Sequence, residues 1–312
     1  MTNATAAKAT TVTRPGDRIF SWATLAAGIL ILATLAAVAM FLIVDSFPGF
    51  FADAEYLKGA PNFWEYVLPF AFGTIWVSFF ALIIAVPLSI GVALFITHYA
   101  PRRLAQALGY VIDLLAAVPS VVFGLWGIIV LAPAVQPIYS WLVDNAGWFP
   151  LFAGPVSGTG RTTLTVSIVL AVMILPIITA MSREIFLQTP VLHEEAALAL
   201  GATRWEMIRM AVLPFGRPGI VSASMLGLGR ALGETMAVAM VLSPIAQISF
   251  PVLTSQNSNT IAANIALNFP EAHGQGVQVL IATGLILFAI TFLVNFIARG
   301  IVSRRAAFSG AN

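Results

Sequence analysis

Glu195-Ala196-Ala197-Leu198-Ala199-Leu200-Gly201, running on to Leu213-Pro214, and then Leu228-Gly229-Arg230-Ala231-Leu232-Gly233-Glu234-Thr235 decide how this chain is read. The first run sits in a polar stretch that interrupts a very apolar protein. The second sets an arginine and a glutamate inside a hydrophobic segment. One has the character of a docking surface, the other of a polar site on a transport route.

The polar stretch carries its own helix punctuation. Thr189-Pro190 reads as an N-cap followed by proline at the first helical position. Gly201 ends that helix, as glycine just past a helix terminus commonly does. Thr203 and Glu206 have the spacing of a capping box, which predicts a second short helix to about Leu213. Pro214 and Pro218 are expected to stop it before the next apolar segment. Two short helices joined at Gly201 make a compact knob, with Ala196, Ala197 and Leu200 as a small apolar face and Trp205 and Ile208 as a bulkier one.

Outside the knob, long uncharged runs dominate. A bilayer crossing needs about 20 apolar helical residues, and six regions qualify: Phe20–Val44, Tyr66–Thr97, Leu114–Leu131, Thr162–Ser182, Pro218–Leu242 and Gly276–Ala298. The second exceeds one crossing and contains Pro87, which predicts tilt, a kink or a protruding end. The fifth alone carries charge well within it. Composition agrees: hydrophobic residues make up 59% and charged residues 9%, which excludes an ordinary soluble domain. A net charge of +2 gives no support to a nucleic-acid partner. The chain has no cysteine, which removes disulfide and thiol chemistry.

Basic residues set the expected orientation. With six spans, one side holds Lys8, Arg14, Arg18, Arg102, Arg103, Arg183, Arg204, Arg209, Arg217, Arg299, Arg304 and Arg305. The other holds Lys58 and Arg161, with Arg230 inside the membrane. Both termini and the knob are therefore expected in the cytoplasm. The organisation that follows is a tail at 1–19, a membrane domain at 20–303 with its cytoplasmic loop at about 183–217, and a tail at 304–312. The first span, at 25 uncharged residues, is too long for a signal peptide and reads as an uncleaved anchor. On the outer side, Asp45–Glu65, Ala132–Gly160 and Pro244–Gly274 are loops, the last rich in amides from Gln247 to Asn268. Two readings of them stand: interfacial packing with short surface or re-entrant helices, or a contact surface for an external substrate-delivery protein.

Glu195-Ala196-Ala197, Gly201 and Leu213-Pro214 resemble the EAA motif of ABC importer permeases at every spacing, with Ala211 where that family usually has isoleucine. In that family the motif forms the coupling helix that docks on the nucleotide-binding subunit. Met225 to Val238 resembles the fifth span of phosphate-specific permeases of the PstC and PstA pair. Asp113 to Gly127, with Pro119, Gly124 and Trp126, is similar to the third span of the PstC type. The resemblance covers nearly the whole chain. It implies an all-α MetI-like fold in a bacterial inner membrane, with Glu195, Ala196, Ala197, Gly201, Leu213 and Pro214 coupling the permease to its motor. It also implies a PstA-like second permease, two PstB-like ATPases and a PstS-like phosphate-binding protein, with inorganic phosphate as cargo. ATP and Mg would sit on those ATPases. This chain itself is expected to bind no cofactor, since neither Lys8 nor Lys58 follows the glycine spacing of a P-loop.

Arg230 and Glu234 can be weighed by chemistry alone. A lone charge at mid-bilayer costs at least about 2.5–3.5 kcal/mol on insertion scales, so it should face protein or a wet cavity. The i, i+4 spacing puts both groups on one helical face, close enough to pair, with Gly227, Gly229 and Gly233 allowing close helix approach. One reading is an internal ion pair acting as a gate latch. The other is phosphate passage, where a guanidinium grips two phosphate oxygens and a carboxylate accepts from a protonated one.

A nucleophile-and-base cluster is missing, so the expectation is a transport subunit and not an enzyme. His98, His193 and His273 are too scattered to ligate a metal. Asp113 reads as a helix-start or interhelical partner. The rival readings are a permease for sulfate or molybdate and, further off, a secondary anion transporter.

Overall fold

A computed structural model describes residues 15–243 and 245–306, the side chains of 301–306 excepted. The expected tails thus fall outside it up to residue 14 and beyond 306, as does Pro244. Twelve α-helices are described. They begin with α1 (Pro15–Ser46), α2 (Phe63–Leu94), α3 (Arg102–Ala116), α4 (Ser120–Trp126) and α5 (Ala132–Ala146). Then come α6 (Thr163–Leu187), α7 (Val191–Ala199), α8 (Arg204–Met207) and α9 (Leu213–Leu232). The chain closes with α10 (Met236–Val241), α11 (Ile261–Asn268) and α12 (Gln275–Ala306). No strand occurs among the described residues, as expected where lipid leaves every backbone group to be satisfied within the chain.

Six helical stretches are long and apolar enough to cross a membrane, beginning with Pro15–Phe51, Phe63–Tyr99 and Ser120–Ala146. Thr163–Leu187, Arg204–Leu232 and Gln275–Gly300 complete them. The third lies further along the chain than the sequence suggested. Pro119 forces Val118 away from helical backbone, so α3 ends at Ala116 and α4 starts afresh at Ser120. The apolar run from Leu114 straddles that break. Ala132–Ala146, the first part of the Ala132–Gly160 segment read above as loop, is helix α5 and forms the rest of this crossing.

Three five-residue π turns explain why proline misled. They span Phe95–Tyr99, Gly127–Leu131 and Ile208–Val212. In each, the next N–H, of Ala100, Ala132 or Leu213, reaches back five residues, and the residue after that is proline. A proline ring clashes with the carbonyl four residues before it, and a widened turn displaces that carbonyl. At Ala100-Pro101 the helix stops. At Pro133 and Pro214 it continues, so Pro214 and Pro218 do not end the knob helix: the chain runs from α8 through the π turn directly into α9.

At the centre lies α6, packed between α2 and α9. Its Val166, Val169, Leu170, Ile174 and Ile178 are fully buried, and α2 is tied to it by two hydroxyls. Ser167 Oγ donates to the Val77 carbonyl (3.1 Å) and Ser89 Oγ to that of Leu175 (3.1 Å). On α9, the small residues Gly216, Gly219 and Gly227 admit Phe186, Ile185 and Ile178 of α6; a Cβ on Gly227 would lie 2.7 Å from Ile178 Cδ1. By contrast, α1 rests mainly on α12, and none of its apolar window is buried.

The middle of the amide-rich outer segment is folded in among the helices. Asn257, Asn259 and Asn264 are buried. Asn264 Nδ2 donates to the Tyr66 hydroxyl (3.0 Å), and Thr74 Oγ1 accepts from the Ile261 N–H (3.0 Å). Gly73 permits this: a Cβ there would collide with the Asn259 carbonyl. Those amides are internal fastenings, and Gln256 remains exposed.

Candidate functional site

The knob forms around its two punctuation marks. Gly201 has φ +87°, a left-handed backbone that glycine adopts without strain, and it turns α7 into α8. The capping box is complete: the Thr203 hydroxyl accepts the Glu206 N–H (3.3 Å), and Glu206 Oε2 accepts the Thr203 N–H (2.8 Å). At the other end the cap sits one residue later than expected. Pro190 is itself the boundary residue, α7 begins at Val191, and the Thr189 hydroxyl is buried with no hydrogen-bond partner among the described residues.

Met207, Ile208 and Val212 anchor the knob by packing with Ala93, Leu94 and Phe186, and Ala197 leans on the same cluster. Ile208 thus belongs to the anchor and does not share a face with exposed Trp205, with which the sequence reading grouped it. What remains outside mixes large apolar side chains with charged ones: Leu192 and Trp205 are exposed and Leu200 is 90% exposed, beside exposed Arg204, Glu206 and Arg209. Glu195 and Ala196 lie on this exposed surface; Leu213 is half-buried and Pro214 exposed. His98, read from sequence as an interfacial residue beside a helix stop, touches the knob. Its Nε2 lies 3.6 Å from Glu194 Oε1, and its carbonyl accepts from Arg204 Nη1 (3.2 Å). The knob is thus tied to the end of the second crossing as well as to α9.

The second site is built around a break. α9 ends at Leu232, and α10 starts at Met236 after a non-helical turn at Gly233–Thr235. Arg230 and Glu234 are consequently not on one helical face, and no ion pair between them occurs among the described residues. Glu234 is buried, and its Oε1 accepts the Ala237 N–H (3.1 Å) at the start of α10. At the far end, Arg161 Nη2 donates to the Met240 carbonyl (2.6 Å) and Nε to that of Val241 (3.2 Å). A carboxylate at the N-terminus and a guanidinium at the C-terminus each oppose the local dipole, and together they fix α10. It nests on α4, where a Cβ on Gly124 would lie 3.0 Å from the Ala237 Cα. The two stretches singled out in the third and fifth spans thus meet in space.

Arg230 points elsewhere. It lines a cavity of about 710 Å³ between α6, α9 and α12, with Ile177, Ser222, Met225, Gly229, Asn295 and Arg299 among its walls. Its Nε is buried and has no hydrogen-bond partner among the described residues. Gly227 allows close approach as expected, whereas a Cβ on Gly229 would meet nothing within 4 Å; its bareness keeps the cavity open beside the arginine. Sequence reasoning passed over Asn295 and Arg299. An amide inside the sixth span four residues before an arginine is the signal that marks them.

With this geometry in view, similarity decides the family. The model of the binding-protein-dependent transport system inner membrane component matches residues 85–307. The chain belongs to that family. Its members are transport components of ABC systems and not enzymes. A Mycobacterium tuberculosis relative, the phosphate transport system permease protein PstC 2, is 48% identical over 301 residues, covering 92% of each chain. The Mesorhizobium japonicum phosphate transport system permease protein PstC is 42% identical over 307 residues, covering 95% of this chain and 92% of its own. Among solved structures, a bacterial ABC transporter involved in import of the polysaccharide alginate matches with TM-score 0.58 and 17% identity, over 91% of this chain and 95% of that one. The MetNI methionine ABC transporter, in inward-facing conformations, matches with TM-score 0.52 and 20% identity, over 76% and 93%. The fold is accordingly that of a MetI-like ABC permease, and this family member is a multi-pass membrane protein.

Proposed function

We propose that this chain is a permease subunit of an ATP-driven importer of inorganic phosphate in a bacterial inner membrane, with both termini and the knob in the cytoplasm. The observation that carries the reading is near-full-length identity of 48% to a permease named for phosphate transport. The partners are a second permease of PstA type, two PstB-type ATPases and a PstS-type binding protein outside. The exposed knob, with Glu195, Ala196, Ala197 and Gly201 on α7 and its turn, is the surface for an ATPase; Leu213 and Pro214 join it to α9. ATP and Mg belong to that partner. Arg230 is the contact for the anion in the membrane, because an unpaired guanidinium beside a cavity presents donors in the geometry a phosphate accepts. Glu234 serves the same passage from the adjoining turn by holding α10.

The test is co-reconstitution with those partners in proteoliposomes. ATP-dependent uptake of labelled phosphate, with sulfate and molybdate excluded, is expected. Uptake of sulfate or molybdate in preference to phosphate would replace the substrate, and uptake that persists without ATP would remove the motor.

A further inference from the structure

The cavity beside Arg230 holds a second cation that the phosphate reading does not use. Arg299 of α12 lines it, as does Asn295, one turn earlier on the same helix. Asp and Glu are missing from its walls. Among the described residues, neither Arg230 nor Arg299 has a salt-bridge partner: the ion pairs there join His98 to Glu194 and Arg183 to Glu184. Asn295 Nδ2 donates to the Thr291 carbonyl (3.0 Å), which leaves one amide hydrogen and the Oδ1 uncommitted.

Two guanidiniums facing one cavity without a carboxylate repel each other, Arg230 half-buried and Arg299 exposed. An anion between them turns the repulsion into two attractions. A tetrahedral oxyanion suits the donor set best, since its oxygens can accept from a guanidinium fork and, beside Arg299, from the Asn295 amide. On α9 the lining runs from Val221 to Arg230, about 13 Å at the helical rise of 1.5 Å per residue. The cavity is therefore longer than one anion, and a bound ion can sit nearer one arginine or the other.

We propose that Arg299 and Asn295 form the second arm of an oxyanion station whose first arm is Arg230. In the proposed topology α9 leaves the knob side and α12 returns to it, so Arg299 lies nearer the cytoplasm. The anion passes from Arg230 to Arg299 before release. This rests on the phosphate-permease reading for the identity of the ion, but not for the existence of the station.

The experiment uses the complete reconstituted complex and compares the parent with Arg299→Gln, Arg299→Lys and Asn295→Leu. Uptake of labelled phosphate and of labelled sulfate is measured beside ATP hydrolysis stimulated by the binding protein. Loss of a charge-assisted contact predicts roughly tenfold slower phosphate uptake in Arg299→Gln. Arg299→Lys should recover part of it, and stimulated ATP hydrolysis should persist in both, which a purely structural role would not give. Asn295→Leu should show a smaller loss and keeps the test alive should Arg299→Gln fail to assemble. Phosphate uptake within twofold of the parent in Arg299→Gln and Asn295→Leu overturns the station and leaves the phosphate function standing. A parent that imports sulfate instead removes phosphate as the ion; the same variants assayed with sulfate then decide the station.

Discussion

On α9, Gly227 and Gly229 stand two residues apart and serve opposite ends. At Gly227 the missing side chain lets Ile178 of α6 approach, and at Gly229 it leaves the cavity beside Arg230 open. Gly229→Leu should therefore leave folding and pairing intact and block passage. Gly227→Leu forces a branched side chain into a filled contact, with a cost of about 1–3 kcal/mol. Expression and co-purification with the second permease, measured beside uptake, separate the two. Gly229→Leu is expected to co-purify normally with uptake down at least roughly tenfold, and Gly227→Leu to lower the yield of complex. A freely transporting Gly229→Leu complex would show that the cavity is not on the route. The close approach at Gly227 was legible in sequence, but the different role of Gly229 was not, because which face of α9 meets α6 depends on packing that a period of 3.6 residues cannot orient. For the same reason the expected alliance of Arg230 with Glu234 fails: it presumed a continuous helix through Gly233, and the hydropathy of the run conceals the turn there.

Among the elements, the knob was the most legible. Gly201 and the Thr203–Glu206 box state local backbone geometry directly in residue types, and both take the conformations expected. A Cβ at Gly201 would meet nothing within 4 Å, so the constraint there is φ alone. Gly201→Trp must either hold a left-handed backbone, at about 1–2 kcal/mol, or swing α8 relative to α7. Stimulated ATP hydrolysis and uptake in the assembled complex check this; both should fall, with membrane insertion unchanged. Normal coupling in Gly201→Trp would remove the docking role from the knob. The third crossing was the least legible. Hydropathy joined Leu114 to Leu131 across Pro119, and α5 falls in a segment read as loop. The π turns that admit Pro133 and Pro214 arise from hydrogen bonds five residues apart, a pattern with no signature in apolar periodicity.

For the whole molecule, the proposed orientation, argued from six crossings and the basic bias, puts the knob inside and the Asp53–Lys58 segment outside. Because the chain has no cysteine, a thiol introduced at exposed Leu200 or at Asp53 reports its side without interference from this subunit. A membrane-impermeant maleimide added to sealed right-side-out vesicles should label Asp53→Cys and spare Leu200→Cys until the vesicles are opened. The reverse pattern would invert the topology and, with it, the direction from Arg230 to Arg299. The account turns on Arg230 being free to meet an anion, with Glu234 committed to α10. A latch of opposite charges predicts mutual rescue, since removing both leaves no buried charge unpaired. An anion contact predicts none. The decisive measurement is ATP-dependent phosphate uptake by the assembled complex carrying Arg230→Gln together with Glu234→Gln: persistent loss, as severe as in Arg230→Gln alone, is predicted here, and uptake near the parent rate would contradict it.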